Sequence, residues 1–273
     1  MNIAINQATL MKTPMEIFIK AISKAGFEGV ELRKDETFNY LKKHTVNDLN
    51  NLLREYNLKC ITFNAIELFS LCPEDEFKRI LDYTERLMDI GNHIECDMII
   101  AVPSFLEDTH MSDSKIFSQT VERLKIIAKL AEKYDFKIGF EPLGFPNCSV
   151  RKVEMALKII EHKDLPDMGL IIDTFHYFVG EHSITELENI ELEKLWLIHI
   201  NDAIEKPLKE LQDSHRVLPC QGFFNLEMFV RKLKEIGYNK WLSLELFNEK
   251  LWREDPYKVS KDAIESLINL LKI

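Results

Sequence analysis

Short apolar runs alternate with longer helical patterns eight times along this chain, and no other feature narrows the possible folds as much. Strands joined through a helical crossover of roughly a dozen residues or more cannot close as hairpins. They run parallel, and a parallel sheet needs helices covering it. The strand candidates are Ile3–Asn6, Val30–Arg33, Cys60–Asn64, Met98–Val102, Ile138–Glu141, Gly169–Asp173, Leu195–Ile200 and Trp241–Leu246. Helical periodicity predicts Met15–Lys24, Val46–Tyr56, Glu74–His93, Lys115–Tyr134, Val150–His162, Ile184–Asn189, Leu226–Ile236 and Tyr257–Leu271. Gly26 and Gly237 follow two of these helices, where a left-handed C-cap is expected.

Eight βα units predict a closed (β/α)8 TIM barrel; a doubly wound open sheet is the alternative. Alternation within the late strands favours closure. Leu242, Leu244 and Leu246 share the face that helices would cover, while Ser243 and Glu245 point to the barrel axis. Likewise Trp196, Ile198 and Ile200 are expected to face helices, with Leu197 and His199 inward. With 273 residues, 46% of them hydrophobic, and no Ser/Gly-rich linker, residues 1–273 read as one barrel domain.

Thirty-five basic residues against 45 acidic ones give a net charge of −10, which argues against a general nucleic-acid or anionic-membrane surface. No apolar run reaches transmembrane length, and the first residues are strand-like rather than basic-then-apolar. The five cysteines are odd in number and form no C-x-x-C pair, so free thiols in a cytoplasmic protein are expected. A homo-oligomer is compatible with all of this.

Four of the predicted strands stop at or beside a metal-type ligand: Glu141, Asp173, His199 and Glu245. Singly, each has an ordinary explanation. Asp173 could cap the following turn, His199 could be a hydrogen-bonded core histidine, and Glu141 or Glu245 could pair internally with Arg33 or Arg216. Together these explanations weaken, because three buried carboxylates with few cations cost many kcal/mol unless an ion neutralises them. The simplest reading is one divalent metal ion at the barrel mouth. The mixed O/N ligand set suits Mn²⁺, Zn²⁺, Co²⁺ or Mg²⁺. Open coordination positions would let an α-hydroxy-ketone bind and form an enediolate, with Glu141 and Glu245 serving as acid and base from separated strands.

The motifs at these positions resemble the xylose-isomerase-like barrel superfamily of sugar isomerases and epimerases. They are Gly-Phe-Glu-Gly-Val-Glu-Leu-Arg at the second strand, Phe-Glu-Pro-Leu-Gly at the fifth, Ile-Asp-Thr-Phe-His at the sixth and Ile-His-Ile-Asn-Asp at the seventh. Asp-Ser-His-Arg-Val-Leu-Pro-Cys-Gln-Gly follows, and Ser-Leu-Glu-Leu-Phe forms the eighth. The opening Asn-Gln-Ala-Thr, with Phe-Asn-Ala, Ala-Val-Pro and Glu-Leu-Phe, narrows the resemblance to the inosose isomerases of inositol catabolism.

That resemblance implies isomerisation of 2-keto-myo-inositol to a 1-keto inositol by proton transfer through an enediolate. It implies metal ligation by Glu141, Asp173, His199 and Glu245, and substrate contacts from His176, Arg216 and Arg33. His176 is expected in a loop over the mouth. Loop pairing with Asp213 or Asp202 is the alternative for Arg216, and a buried pair with Glu31 the alternative for Arg33. Where relatives carry Pro-Gly-x-Gly after the arginine, this chain has Pro219-Cys220-Gln221-Gly222, so a differently shaped loop is expected. Phe63, Phe69, Phe105, Phe145, Phe175 and Phe247 are candidates for an apolar wall around a small polyol or keto-sugar. Competing readings are a keto-sugar 3-epimerase or hydroxypyruvate-type isomerase, a non-catalytic sugar-binding barrel, and an abasic-site endonuclease using His176, Asp213 and His215. The last conflicts with Asn64 and Pro103, which stand where that enzyme takes further histidines.

Overall fold

The computed structural model describes residues 1–107 and 111–272. Eight parallel strands close in the order β1-β10-β7-β6-β5-β4-β3-β2, so the open-sheet alternative does not hold. They are β1 (Asn2–Asn6), β2 (Gly29–Arg33), β3 (Lys59–Ile66), β4 (Met98–Ala101), β5 (Lys137–Phe140), β6 (Gly169–Asp173), β7 (Leu195–Ile200) and β10 (Trp241–Leu244). A separate antiparallel pair, β8 (Asp202–Ala203) and β9 (Arg216–Val217), rides above the seventh barrel strand.

The outer helices are α1 (Met15–Ala25), α2 (Lys34–Tyr40), α3 (Val46–Glu55), α4 (Glu74–His93), α5 (Asp113–Lys133), α6 (Val153–Ile160), α7 (Thr174–Val179), α8 (Leu226–Glu235) and α9 (Pro256–Leu271). Their periodicity does what it predicts. In α4, Phe77, Ile80, Thr84, Leu87, Met88 and Gly91 form one buried stripe against the sheet. Gly26 and Gly237 take φ values of 107° and 86°, the left-handed conformation expected of them. Two short helices, α2 and α7, lie where no helix is expected, and Ile184–Asn189 is a 3₁₀ turn. No helix among the described residues is long and apolar enough to cross a membrane.

Inside the barrel, Ala4, Ile61, Ala65, Met98, Ile100, Ile171 and Leu197 form an apolar plug below the mouth. Ile198 and Ile200 belong to the outer core as expected. Trp196 does not: it packs against the inner plug. The register between β6 and β7 shifts between Leu170 and Ile171 there, which breaks the simple alternation.

Candidate metal centre and active site

The plug leaves the C-terminal mouth for polar groups. Asp173 ends β6, His199 lies in β7 directly beside it in register, and Glu141 and Glu245 follow β5 and β10. The backbone N–H of Glu141 donates to Ala101 O (3.0 Å) and that of Glu245 to Ile200 O (3.4 Å), so both still ride the barrel ladder. One ligand atom from each of the four lies within 4.8 Å of all the others, and all four side chains are buried. Ligands about 2.1 Å from a common ion stand at most about 4.2 Å apart, so the set needs only a slight contraction to hold a divalent ion. Carboxylate and imidazole are also the donor types such an ion takes. The residues fit.

Imidazole orientation is set from behind. His199 presents Nδ1 to Glu141 Oε1 (3.1 Å) and Glu245 Oε2 (3.4 Å), while Nε2 faces Glu31 Oε2 (3.1 Å). Glu31 is fully buried and accepts a second, short hydrogen bond from Ser243 Oγ. Burial would push the imidazole down, but Glu31, Glu245 and Glu141 outweigh it and hold His199 well above its ordinary value. Nδ1 is therefore the ring atom available to an ion, with Nε2–H donated to Glu31, the arrangement that orients metal-bound histidines generally. The alternative of a buried pair between Glu31 and Arg33 does not hold: Glu31 meets His199, and Arg33 pairs with Glu67. The even spacing of Glu31 with Gly29 and Arg33 along β2 points it inward, the same alternation that places Ser243 and Glu245.

Arg216 is 1% exposed and bridges the site. Its Nη1 donates to Asp173 Oδ2 (2.6 Å) and Glu245 Oε2 (3.1 Å), and its Nη2 and Nε donate to Asp213 Oδ1 (2.7 and 3.0 Å). The ring of Phe175 lies 4.8 Å from its guanidinium carbon. Despite burial, Arg216 chiefly, with His199, holds Asp173 below the usual carboxylate range. Burial instead dominates at Glu245, raised to about 8 with Glu141 and Asp173 adding to it against His199 and Arg216. Of the ordinary explanations for single residues, several are present at once. Asp173 Oδ1 caps α7 through His176 N (3.0 Å), and Glu245 is ion-paired to Arg216.

His176 stands in α7, buried between Phe145 and Phe175, rather than in a loop. Nearly every residue of α7 is buried, so it lacks the one-sided pattern that reveals a helix. Burial, with Arg216 adding to it, lowers the His176 pKa, and the neutral ring accepts Arg216 Nη2–H at Nε2 (3.1 Å). Its proton then sits on Nδ1, which has no hydrogen-bond partner among the described residues.

The β8–β9 pair carries Arg216 to this position. Asp202 does not pair with Arg216; it accepts from the backbone N–H of Ala203 (2.8 Å), Gly222 (3.0 Å) and Phe224 (3.0 Å) and ties down the returning loop. A Cβ on Gly222 would lie 2.1 Å from Ala203 O, so that glycine is required. Cys220 takes φ 66°, the left-handed conformation a glycine would adopt more cheaply.

A cavity of about 250 Å³ opens at the mouth, lined by Glu141 and Glu245 of the four ligands and by Arg216 and His176. It falls below the roughly 300–1,000 Å³ of drug-sized pockets and suits one small ring. Phe105, Phe145 and Phe247 line it, whereas Phe63, Phe69 and Phe175 are core. On its other wall Arg33 pairs with Glu67 Oε1 (2.7 Å) and donates a short bond to Asn64, whose Nδ2 donates to Glu245 Oε1 (3.2 Å). Glu67 and Asn64 are site residues the strand pattern did not single out. Of the three candidate nuclease ligands, His215 turns away, with Nδ1 on Gln212 N (3.0 Å). Among the described residues one His/Cys/Asp/Glu group is placed to hold an ion, the group at the mouth.

A closed barrel with this site at its C-terminal mouth is the frame of a sugar-isomerase-class enzyme. The chain belongs to the xylose isomerase-like TIM barrel family, whose profile matches residues 19–270. The inosose isomerase of Halalkalibacterium halodurans is 28% identical over 98% of this chain and 97% of that one. A crystal structure of an IolI protein with a bound zinc atom has a TM-score of 0.94 at 26% identity, covering 100% of this chain and 98% of that one. The 3-dehydroshikimate dehydratase of Pseudomonas putida is 23% identical over 92% of this chain but 39% of that longer protein.

Proposed function

We propose that this enzyme is a divalent-metal-dependent inosose isomerase, interconverting 2-keto-myo-inositol and a 1-keto inositol. The observation that carries the reading is the buried group Glu141, Asp173, His199 and Glu245, two of which, Glu141 and Glu245, line a cavity sized for one ring. The full-length similarity to inosose isomerases supports the substrate. A keto-inositol presents C–H faces to aromatic rings and hydroxyl edges to polar groups, which matches a cavity lined by Phe105, Phe145 and Phe247 together with Arg33 and Asn64.

When bound, a divalent ion supplies Lewis acidity toward the adjacent oxygens of the hydroxy-ketone. The chain's own groups move the protons. Glu245 and Glu141 stand on strands separated by β7 and β6, so they reach a ring from different directions. One takes the proton from the hydroxyl-bearing carbon, giving the enediolate, and a proton returns to the neighbouring carbon. The hydroxyl proton passes to the former carbonyl oxygen, so the reaction is redox-neutral and needs no nicotinamide. Asn64 fixes Oε1 of Glu245, and Arg216, which lines the cavity, supplies fixed charge beside the developing oxyanion. Returning the proton to the same carbon from the opposite side would be epimerisation; two carboxylates from separated strands also suit that keto-sugar 3-epimerase reading.

Chelator-treated protein should lose 2-keto-myo-inositol conversion and regain it with Mn²⁺ or Zn²⁺, and turnover in D₂O followed by NMR should place deuterium on the reacting carbon. A preference for an open-chain ketose over every keto-inositol tested would sink the substrate assignment. Full-rate turnover with no solvent label would argue for a hydride shift or fully shielded internal return and would remove the main support for the roles of Glu141 and Glu245.

A further inference from the structure

Two arginines face the cavity, and their charges are disposed differently. Arg216 is committed to the floor, shared among Asp173, Glu245 and Asp213. Arg33 stands on the wall, 16% exposed, and among the described residues its one acidic partner within 4.0 Å is Glu67, at 2.7 Å. The guanidinium is also held by Asn64 and lies over the Phe247 ring, with 5.4 Å between its carbon and the ring centre. Arg33 is therefore positioned by neutral contacts as well as by its ion pair. Removing the charge of Glu67 would leave a fixed, always-ionised fork aimed into a cavity sized for one ring. Such a planar fork binds carboxylates in bidentate fashion. With Glu67 present, an incoming carboxylate meets a neutralised arginine and a like charge beside it.

We infer that Glu67 is a specificity-determining residue: by neutralising Arg33 it reserves the cavity for uncharged rings and rejects rings that bear a carboxylate. This deepens the proposed reading and rests on it to the extent that a small polyhydroxy ring binds above the four ligands. The contrast is apt for this barrel, because one relative named above acts on 3-dehydroshikimate, a six-membered hydroxy-ketone that carries a carboxylate. 2-keto-myo-inositol is a six-membered hydroxy-ketone without one. The two compounds form a matched pair of probes for the charge on this wall.

The test is calorimetric titration of the Mn²⁺-loaded protein with each compound, for the parent, Glu67→Gln, Glu67→Ala and the double variant Arg33→Gln/Glu67→Gln. Thermal melts accompany the titrations, and the alanine variant stands in should the glutamine variant fold poorly. In the folded single variant, 3-dehydroshikimate should bind at least tenfold more tightly than it binds the parent. The double variant should lose that gain. A gain below tenfold, or one that persists without Arg33, overturns the inference. Failure of the inositol reading is seen separately, as absence of 2-keto-myo-inositol turnover by the parent, whatever Glu67 does to the acid's affinity.

Discussion

Glu31 and Cys220 show how much one side chain can mean at a place the sequence barely marks. Glu31 lies behind His199 and presents its carboxylate to Nε2 at 3.1 Å, which should raise the ligand strength of Nδ1. Glu31→Gln keeps the shape and can still accept from His199 while bonding Ser243, but it removes the charge. Ion affinity, measured by competition with a chromophoric chelator, should fall roughly 10–100-fold, and the metal-free protein should melt at a lower temperature because His199 loses the carboxylate that chiefly holds its pKa up. Unchanged affinity would mean Glu31 only packs. At Cys220 the left-handed backbone strains a residue with a Cβ. Cys220→Gly should stabilise the protein by about 1 kcal/mol in denaturant melts, since the relief of about 1–2 kcal/mol exceeds glycine's extra chain entropy. Position 220 was legible as a departure from the family pattern. What could not be read was that Asp202 and Gly222 hold the loop tightly enough for the cysteine to accept the glycine conformation.

At the level of elements, α3 begins with a reciprocal capping box. Thr45 Oγ1 accepts from Asp48 N (3.1 Å), and Asp48 Oδ2 accepts from Thr45 N (2.7 Å) and from its hydroxyl (2.8 Å). Thr45→Ala should cost about 1 kcal/mol in chemical unfolding. The backbone and hydroxyl bonds from Thr45 hold the Asp48 carboxyl below its ordinary 3.8. A lowered acid stabilises the fold above its unfolded pKa, and that contribution disappears as pH falls through the folded value. The penalty of Thr45→Ala should therefore shrink between about pH 5 and pH 3 by the share due to the hydroxyl bond, since the bond from the backbone N–H of residue 45 to Asp48 remains; a penalty independent of pH would argue against the hydroxyl bond to Asp48. Long amphipathic helices such as α4 were readable because one face is buried and the other is not. In α2 only Thr37 is buried, and in α7 almost everything is, so neither has a period to detect.

For the molecule as a whole, an ion that binds only the folded chain stabilises it by mass action. At a hundred times its dissociation constant this amounts to about 2.7 kcal/mol. Chelator-treated protein should melt at a lower temperature, and titrated Mn²⁺ or Zn²⁺ should raise the midpoint with concentration. That rise should vanish when Asp173 and Glu245 are both replaced by Ala. A concentration-dependent rise persisting in the double variant would place the ion elsewhere.

By itself the sequence determined the eight-fold strand–helix alternation, the inward parity of Leu197, His199, Ser243 and Glu245, and the four strand-end side chains that meet at the mouth. These depend on burial patterns that repeat along the chain and can be read locally. Only the tertiary structure decided which charges neutralise one another. It paired Glu31 with His199 rather than Arg33, set Arg33 against Glu67, and placed Arg216 among Asp173, Glu245 and Asp213. Barrel closure brings β2 across the interior from β7, with β10 and β1 between them on the wall, and the β8–β9 pair lowers Arg216 onto the mouth. Coulomb energies depend on distance and burial in space, and positions 31 and 199 stand 168 residues apart in the chain while their side chains meet at 3.1 Å.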